Sequence, residues 1–165
     1  MTQKKGQKGF SLVELLIVVA IIGIIAAIAV PNLLASRRAA NEGSAQSSLR
    51  TIHSSQGTYQ GTKGDGDFGS MAELLGEKLV DPVLGTGKKS GYTFAVNNTD
   101  GDEAATPPTL STFYATAVPS NTSGVSQSGT RRFGIADDGV MHGDAAAMTP
   151  YADRDAVLAA NALGN

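Results

Sequence analysis

The chain has no cysteine and only two histidines among its 165 residues. Disulfides and thiolate metal sites are therefore excluded, and redox chemistry says nothing of compartment. Aromatic residues amount to 5%, which gives no support for special electronic properties. No Gly-x-Ser-x-Gly nucleophile motif is present. The Gly-rich stretch at residues 61–69 follows no strand and opens no βαβ unit, so it is not a dinucleotide fingerprint. No acidic stretch has EF-hand spacing. These absences point away from an enzyme and imply no cofactor. The formal charge is −2, and without residues 1–9 ten basic and 15 acidic residues remain. A net acidic chain is a poor general nucleic-acid binder, because it has few cations to displace counterions from phosphates.

What the chain does have is one long apolar run. Residues 10–30 comprise 21 residues, 18 of them Ala, Val, Ile, Leu or Phe, interrupted by Ser11, Glu14 and Gly23. As a helix at about 1.5 Å per residue, the run spans roughly 30 Å, the hydrocarbon thickness of a bilayer. An ordinary signal peptide has a shorter apolar core followed by small residues at a cleavage site. A retained membrane helix fits better. Lys4, Lys5 and Lys8 precede the run and mark that end as cytoplasmic, although Arg37 and Arg38 beyond it weaken the asymmetry.

Glu14 is the exceptional residue in this run. A carboxylate in a membrane helix costs several kcal/mol unless it is paired, so such residues are functional candidates. No cation lies within one helical turn of it. Either it sits in the interfacial region and is solvated, or a second chain supplies the partner. Cleavage between Gly9 and Phe10 would create a free amine at a suitable depth. Gly23 and Pro31 are weak points of the helix, Pro31 because it removes a backbone donor.

The segment from Gly9 through Phe10, Glu14 and Gly23 to Pro31, with its short basic leader, resembles the N-terminal signature of type IV prepilins and their pseudopilin relatives. The resemblance covers about 30 residues. It implies that a prepilin peptidase cuts after Gly9 and N-methylates Phe10. It implies also that Glu14 pairs with the methylated amine of a neighbouring Phe10 during assembly. The helix would then pass from the membrane into a filament core, with the stretch around Gly23 and Pro31 able to loosen.

Beyond Pro31 the pattern becomes amphipathic. Ala45, Leu49, Ile52, Gln56 and Tyr59 recur at helical spacing, and Ser44, Ser47, Ser48, Arg50 and Ser54 fall mostly elsewhere. The helix is expected to run to about Gln60, where Gly57, Gly61 and Gly64 end it. His53 beside this stripe reads as a packed or solvated histidine. Ser70 can cap a short helix from Met71 to about Lys78, with Glu73 in its first turn. Residues 91–97, 112–118, 131–136 and 140–142 alternate as strands. Residues 114–119 and 129–140 resemble the end of many pilins and pseudopilins. Asp65 and Asp67, Asp100, Asp102 and Glu103, and Asp137, Asp138 and Asp144 are oxygen donors for Ca²⁺ in principle, but acidic turns of this kind are usually just solvated. No metal site is assigned.

The expected fold is α+β: a long N-terminal helix packed on a roughly four-stranded antiparallel sheet, the pilin fold. Its parts are a leader at residues 1–9, a transmembrane and assembly helix at 10–31, an amphipathic continuation at 32–60, and a head at 61–165 with a flexible C-terminal tail. Residues 151–165 read either as a terminal helix or as that mobile tail. The expected function is a major type IV pilus subunit, serving adhesion, twitching motility or DNA uptake. Its partners would be copies of itself, the prepilin peptidase, the inner membrane and the pilus assembly machinery. It would start as a single-pass inner-membrane precursor, N-terminus cytoplasmic, and finish on the cell surface. The alternatives are a type II secretion pseudopilin and a single-span anchor presenting a periplasmic binding domain.

Overall fold

A computed structural model describes residues 9–145 and 149–163. The leader expected at residues 1–9 lies outside these, apart from Gly9. The chain divides into two compact units, Met1–Ser36 and Arg37–Asn165. Helix α1 (Leu12–Gln60) contributes to both and is unbroken at Gly23 and Pro31. In the first unit every residue over 12–33 is exposed.

In the second unit the helix has one buried face. Ala45, Leu49, Ile52 and Gln56 are fully buried, at the spacing of three and four that aligns side chains on a helix. Ser48 and Ser55 are buried between them, so Ser48 belongs to the packed face and not to the solvent side assigned from the sequence. Ser55 is accommodated by donating to the Leu79 carbonyl at 2.7 Å. Gln56 is the larger exception. Its amide accepts from Gly69 N–H at 2.8 Å and donates to the Gly69 carbonyl at 2.6 Å, tying the loop after α1 to the core.

Helix α2 (Met71–Gly76) opens with a capping box in which Ser70 and Glu73 satisfy each other's backbone donors. That hydrogen bonding holds the Glu73 carboxyl below its ordinary range. The helix stops earlier than expected because Lys78 adopts a left-handed backbone with φ 58°. Lys78 N–H then bonds the Leu75 carbonyl and Leu79 N–H the Leu74 carbonyl, closing the helix end. Helix α3 (Pro82–Gly85) was not expected. Its signal is Asp81-Pro82, an N-cap followed by a residue preset for the first helical position.

The sheet has five antiparallel strands in sequence order: β1 (Lys88–Lys89), β2 (Tyr92–Thr99), β3 (Thr112–Pro119), β4 (Arg131–Ala136) and β5 (Met141–Ala145). The fifth strand beyond the expected four is β1. Two residues carry no alternation to read, but Ser90 (φ 49°) and Gly91 (φ 74°) form the tight turn that folds β1 onto β2. One face of the sheet sends Tyr92, Phe94, Ala115, Ala117, Phe133, Ile135 and Met141 into the core against α1.

The opposite face is covered by the C-terminal segment. Of the two readings left open there, residues 149–163 include helix α4 (Arg154–Leu158), capped by Asp153. Tyr151 and Val157 are buried with Ala136, so these residues pack on the sheet and do not trail as a flexible tail. A Cβ added at Gly134 would stand 3.0 Å from both Tyr151 and Val157, which is why no side chain is found there. Residues beyond α4 also bond β5: Gly143 N–H donates to Asn161 and Leu163 N–H to Met141.

Candidate functional site

The first turn of α1 is the candidate site. Phe10 is 88% exposed just before the helix begins. The Ser11 hydroxyl accepts from Val13 N–H at 3.3 Å, and the Glu14 carboxylate accepts from Ser11 N–H at 2.9 Å. This is reciprocal capping: a serine just outside the helix and an acid three residues on each satisfy an orphan donor. Glu14 therefore has a partner within one turn of its own chain, a backbone N–H and not a cation. That corrects the picture of an unpartnered carboxylate, though its charge remains uncompensated. Ser11 is the residue that sequence reading passed over, and its signal was the Ser-x-x-Glu spacing ahead of an apolar run.

The helix N-terminus favours negative charge through its aligned peptide dipoles. Glu14 is thus preset where an incoming cation would find a carboxylate already held in one orientation. The fold brings Gly9, Phe10, Ser11 and Glu14 together at this end. Gly23 and Pro31 are not part of it: they follow about 14 Å and 26 Å further along the helix. From Leu12 onward the helix is long and apolar enough to cross a membrane, and none of its membrane-length window is buried.

The other sites considered from the sequence are dispersed through the head. His53 is half-buried beside the Phe113 ring, with centroids 5.8 Å apart. Asp137 is engaged by Arg154 and Asp144 by Arg132. Among the described residues no group of three or more His, Asp or Glu side chains is placed to hold a metal ion. Arg132 also lies 3.9 Å over the Tyr151 ring and donates to the Thr149 carbonyl. Its hydrogen bond keeps the Asp144 carboxyl below the usual range, while burial pushes the Tyr151 hydroxyl up to about 12. These groups fasten the C-terminal segment and form no reactive constellation.

Comparison with known proteins gives a family match that overlaps this end of the chain. Residues 4–30 match the family described as the prokaryotic N-terminal methylation motif, so the chain carries the prepilin N-terminal signature. It is similar to the type IV wide pilus major component PilA4 of Thermus thermophilus, 48% identical over 56 residues, 34% of this chain and 43% of that protein. It is similar to the type IV major pilin protein PilA of Myxococcus xanthus, 42% identical over 52 residues, 32% of this chain and 24% of that one. A third relative is the type II secretion system core protein G of Aeromonas hydrophila, 34% identical over 58 residues, 35% of this chain and 41% of that protein. The matches thus span less than half the length of each curated relative. No solved structure matches the chain. The likeness is to pilin-type proteins and covers about a third of this chain.

Proposed function

We propose that this chain is the major repeating subunit of a type IV pilus. The observation that carries the reading is a helix apolar on all sides and exposed over residues 12–33, with Glu14 held just behind Phe10. Such a surface is stable only in lipid or among copies of itself. In this reading a prepilin peptidase cuts after Gly9 and methylates the new amine of Phe10. The precursor spans the inner membrane with its N-terminus cytoplasmic. On assembly Glu14 exchanges the Ser11 N–H for the Phe10 ammonium of a neighbouring copy, a charge-assisted bond stronger than the one it replaces. Gly23 and Pro31 mark where the helix loosens in the filament. The head stays outside and faces the medium.

The test is the mass and sequence of the mature N-terminus, together with electron microscopy of fibres sheared from cells. A chain beginning at methylated Phe10 within long fibres is the expected result. An uncut chain would exclude every pilin-like role and leave the single-span anchor. The similarity to a type II secretion core protein favours a second reading, a pseudopilin of a short periplasmic fibre. A correctly processed chain absent from surface fibres would select it.

A further inference from the structure

Two ends of the head carry clusters of charge without ion pairs among the described residues. At one end, α1 residues 37–42 meet the loop at residues 120–130. Arg38 donates to the Gln127 side chain at 3.0 Å and Asn41 to the Ser128 carbonyl at 2.8 Å. Ser44 bonds Ser90 at 2.9 Å, which brings the β1–β2 turn and Lys88 to this end. Arg37, Arg38, Lys88 and Arg131 gather here, and none is in an ion pair among the described residues. The one acid here, Glu42, accepts from both the N–H and the hydroxyl of Thr130.

The other end lies at Gln60, about 33 Å further along the helix. There the Gln60 amide donates to the Gly66 carbonyl, and Asp67 accepts from Gly101 N–H at 2.8 Å, tying two loops together. These loops carry Asp65, Asp67, Asp100, Asp102 and Glu103, again without an ion pair among the described residues. The neighbouring Lys63 is directed to Glu77 at 3.9 Å. Between the loops lies an open cleft lined by Asp65, Asp67, Glu103 and Leu110. Leu110 is 87% exposed, and at the basic end Val125 is 82% exposed; these are the most exposed large apolar residues of the head.

We propose that the acidic cleft of one copy receives the basic end of a second copy, with Val125 entering beside Leu110 and Arg37 and Lys88 facing the carboxylates. The two surfaces differ, so the contact is heterologous and repeats without closing. Like ends repel, so the contact also sets a single polarity. Exposed ion pairs are individually weak and screened by salt, so several must act together and the apolar pair adds grip. This inference rests on the filament reading and names the contact between heads in it.

The test uses the full-length chain in cells. Reversing the tip with Asp65→Lys, Asp100→Lys and Glu103→Lys, or the base with Arg37→Glu, Arg38→Glu and Lys88→Glu, should each lower the yield of sheared fibres about tenfold. All six changes in one chain, which exchange the signs of the two ends, should restore most of it. Separately, since the chain has no cysteine of its own, Leu110→Cys with Val125→Cys in otherwise unaltered fibres should give a ladder of covalent oligomers with a short bis-maleimide. Either substitution alone should leave the chain uncrosslinked, because the contact pairs residue 110 with residue 125. Normal fibre yield from every charge variant, with no ladder from the double-cysteine fibres, overturns the contact and leaves the filament reading intact. Failure of the unaltered chain to form fibres removes the filament reading and this contact with it.

Discussion

The two halves of α1 share a backbone and differ in every other respect. Over residues 12–33 no side chain is buried, although nearly all are apolar. Over residues 45–56 only one face is apolar, and Ala45, Leu49 and Ile52 are completely buried against the sheet. Helix propensity does not separate them, since the Ile and Val of the first half rank close to the Ser and Thr of the second. The difference lies in the surroundings each half requires. The second half completes its packing within its own chain. The first must find lipid or other copies, so its sequence describes an environment that a single chain does not contain.

Substitutions should separate these two surfaces cleanly. The largest effects are expected at the first turn, where the proposed processing and pairing take place. Gly9→Val should leave the unprocessed precursor in the membrane, seen as a heavier band in the membrane fraction. Glu14→Leu should retain the anchor and an unaltered head melting temperature while abolishing fibres. Normal fibres from Glu14→Leu would remove the proposed pairing. Next comes the core. Phe133 is fully buried between Tyr92 and the helix face, and Phe133→Ala should cost about 3–5 kcal/mol in urea unfolding of the detergent-solubilised chain. Phe10 processing should be unaffected by that change. If it fails as well, the two regions are more closely linked than their burial suggests.

Smaller effects test how the C-terminal segment is fastened. Arg132→Ala removes the bonds to Asp144 and Thr149 and the contact over Tyr151, an expected loss of about 2 kcal/mol. Protease cutting within residues 149–163 should speed up accordingly. The pH dependence has a definite sign. Arg132 lowers the folded Asp144 pKa, so the stabilisation is present above the unfolded carboxyl value of about 4 and is lost as pH falls through the lowered value. Asp144→Asn should flatten that part of the acid-unfolding curve. The smallest change is Ser70→Ala, which removes the α2 cap and should cost about 1 kcal/mol, with no effect on fibre yield.

Much of the fold was legible because its signals are local. The α1 stripe, the Ser70 cap and β4 at Arg131–Ala136 follow from spacing and residue type alone. Features missed were short or paired over distance. Strand β1 is two residues long, and α3 only four. Ser48 reads as solvent-facing until the sheet is laid over it. At the candidate site, Glu14 stood out by chemistry, and Gly9 and Phe10 through the resemblance to prepilins. Ser11 did not, because an uncharged residue in an apolar run draws attention only when its bond to Glu14 is seen.

The sequence by itself determined the apolar run, the acid within it, the prepilin signature and the α+β class, because each depends on residue type at short spacing. Tertiary structure alone decided that residues 149–163 close over the sheet and that the loop at residues 120–130 meets α1 at Arg38 and Asn41. Those outcomes depend on residues far apart in sequence and on the directions in which turns send the chain. A helical stripe repeats every few residues, whereas Arg38 meets Gln127 only after the whole sheet has formed.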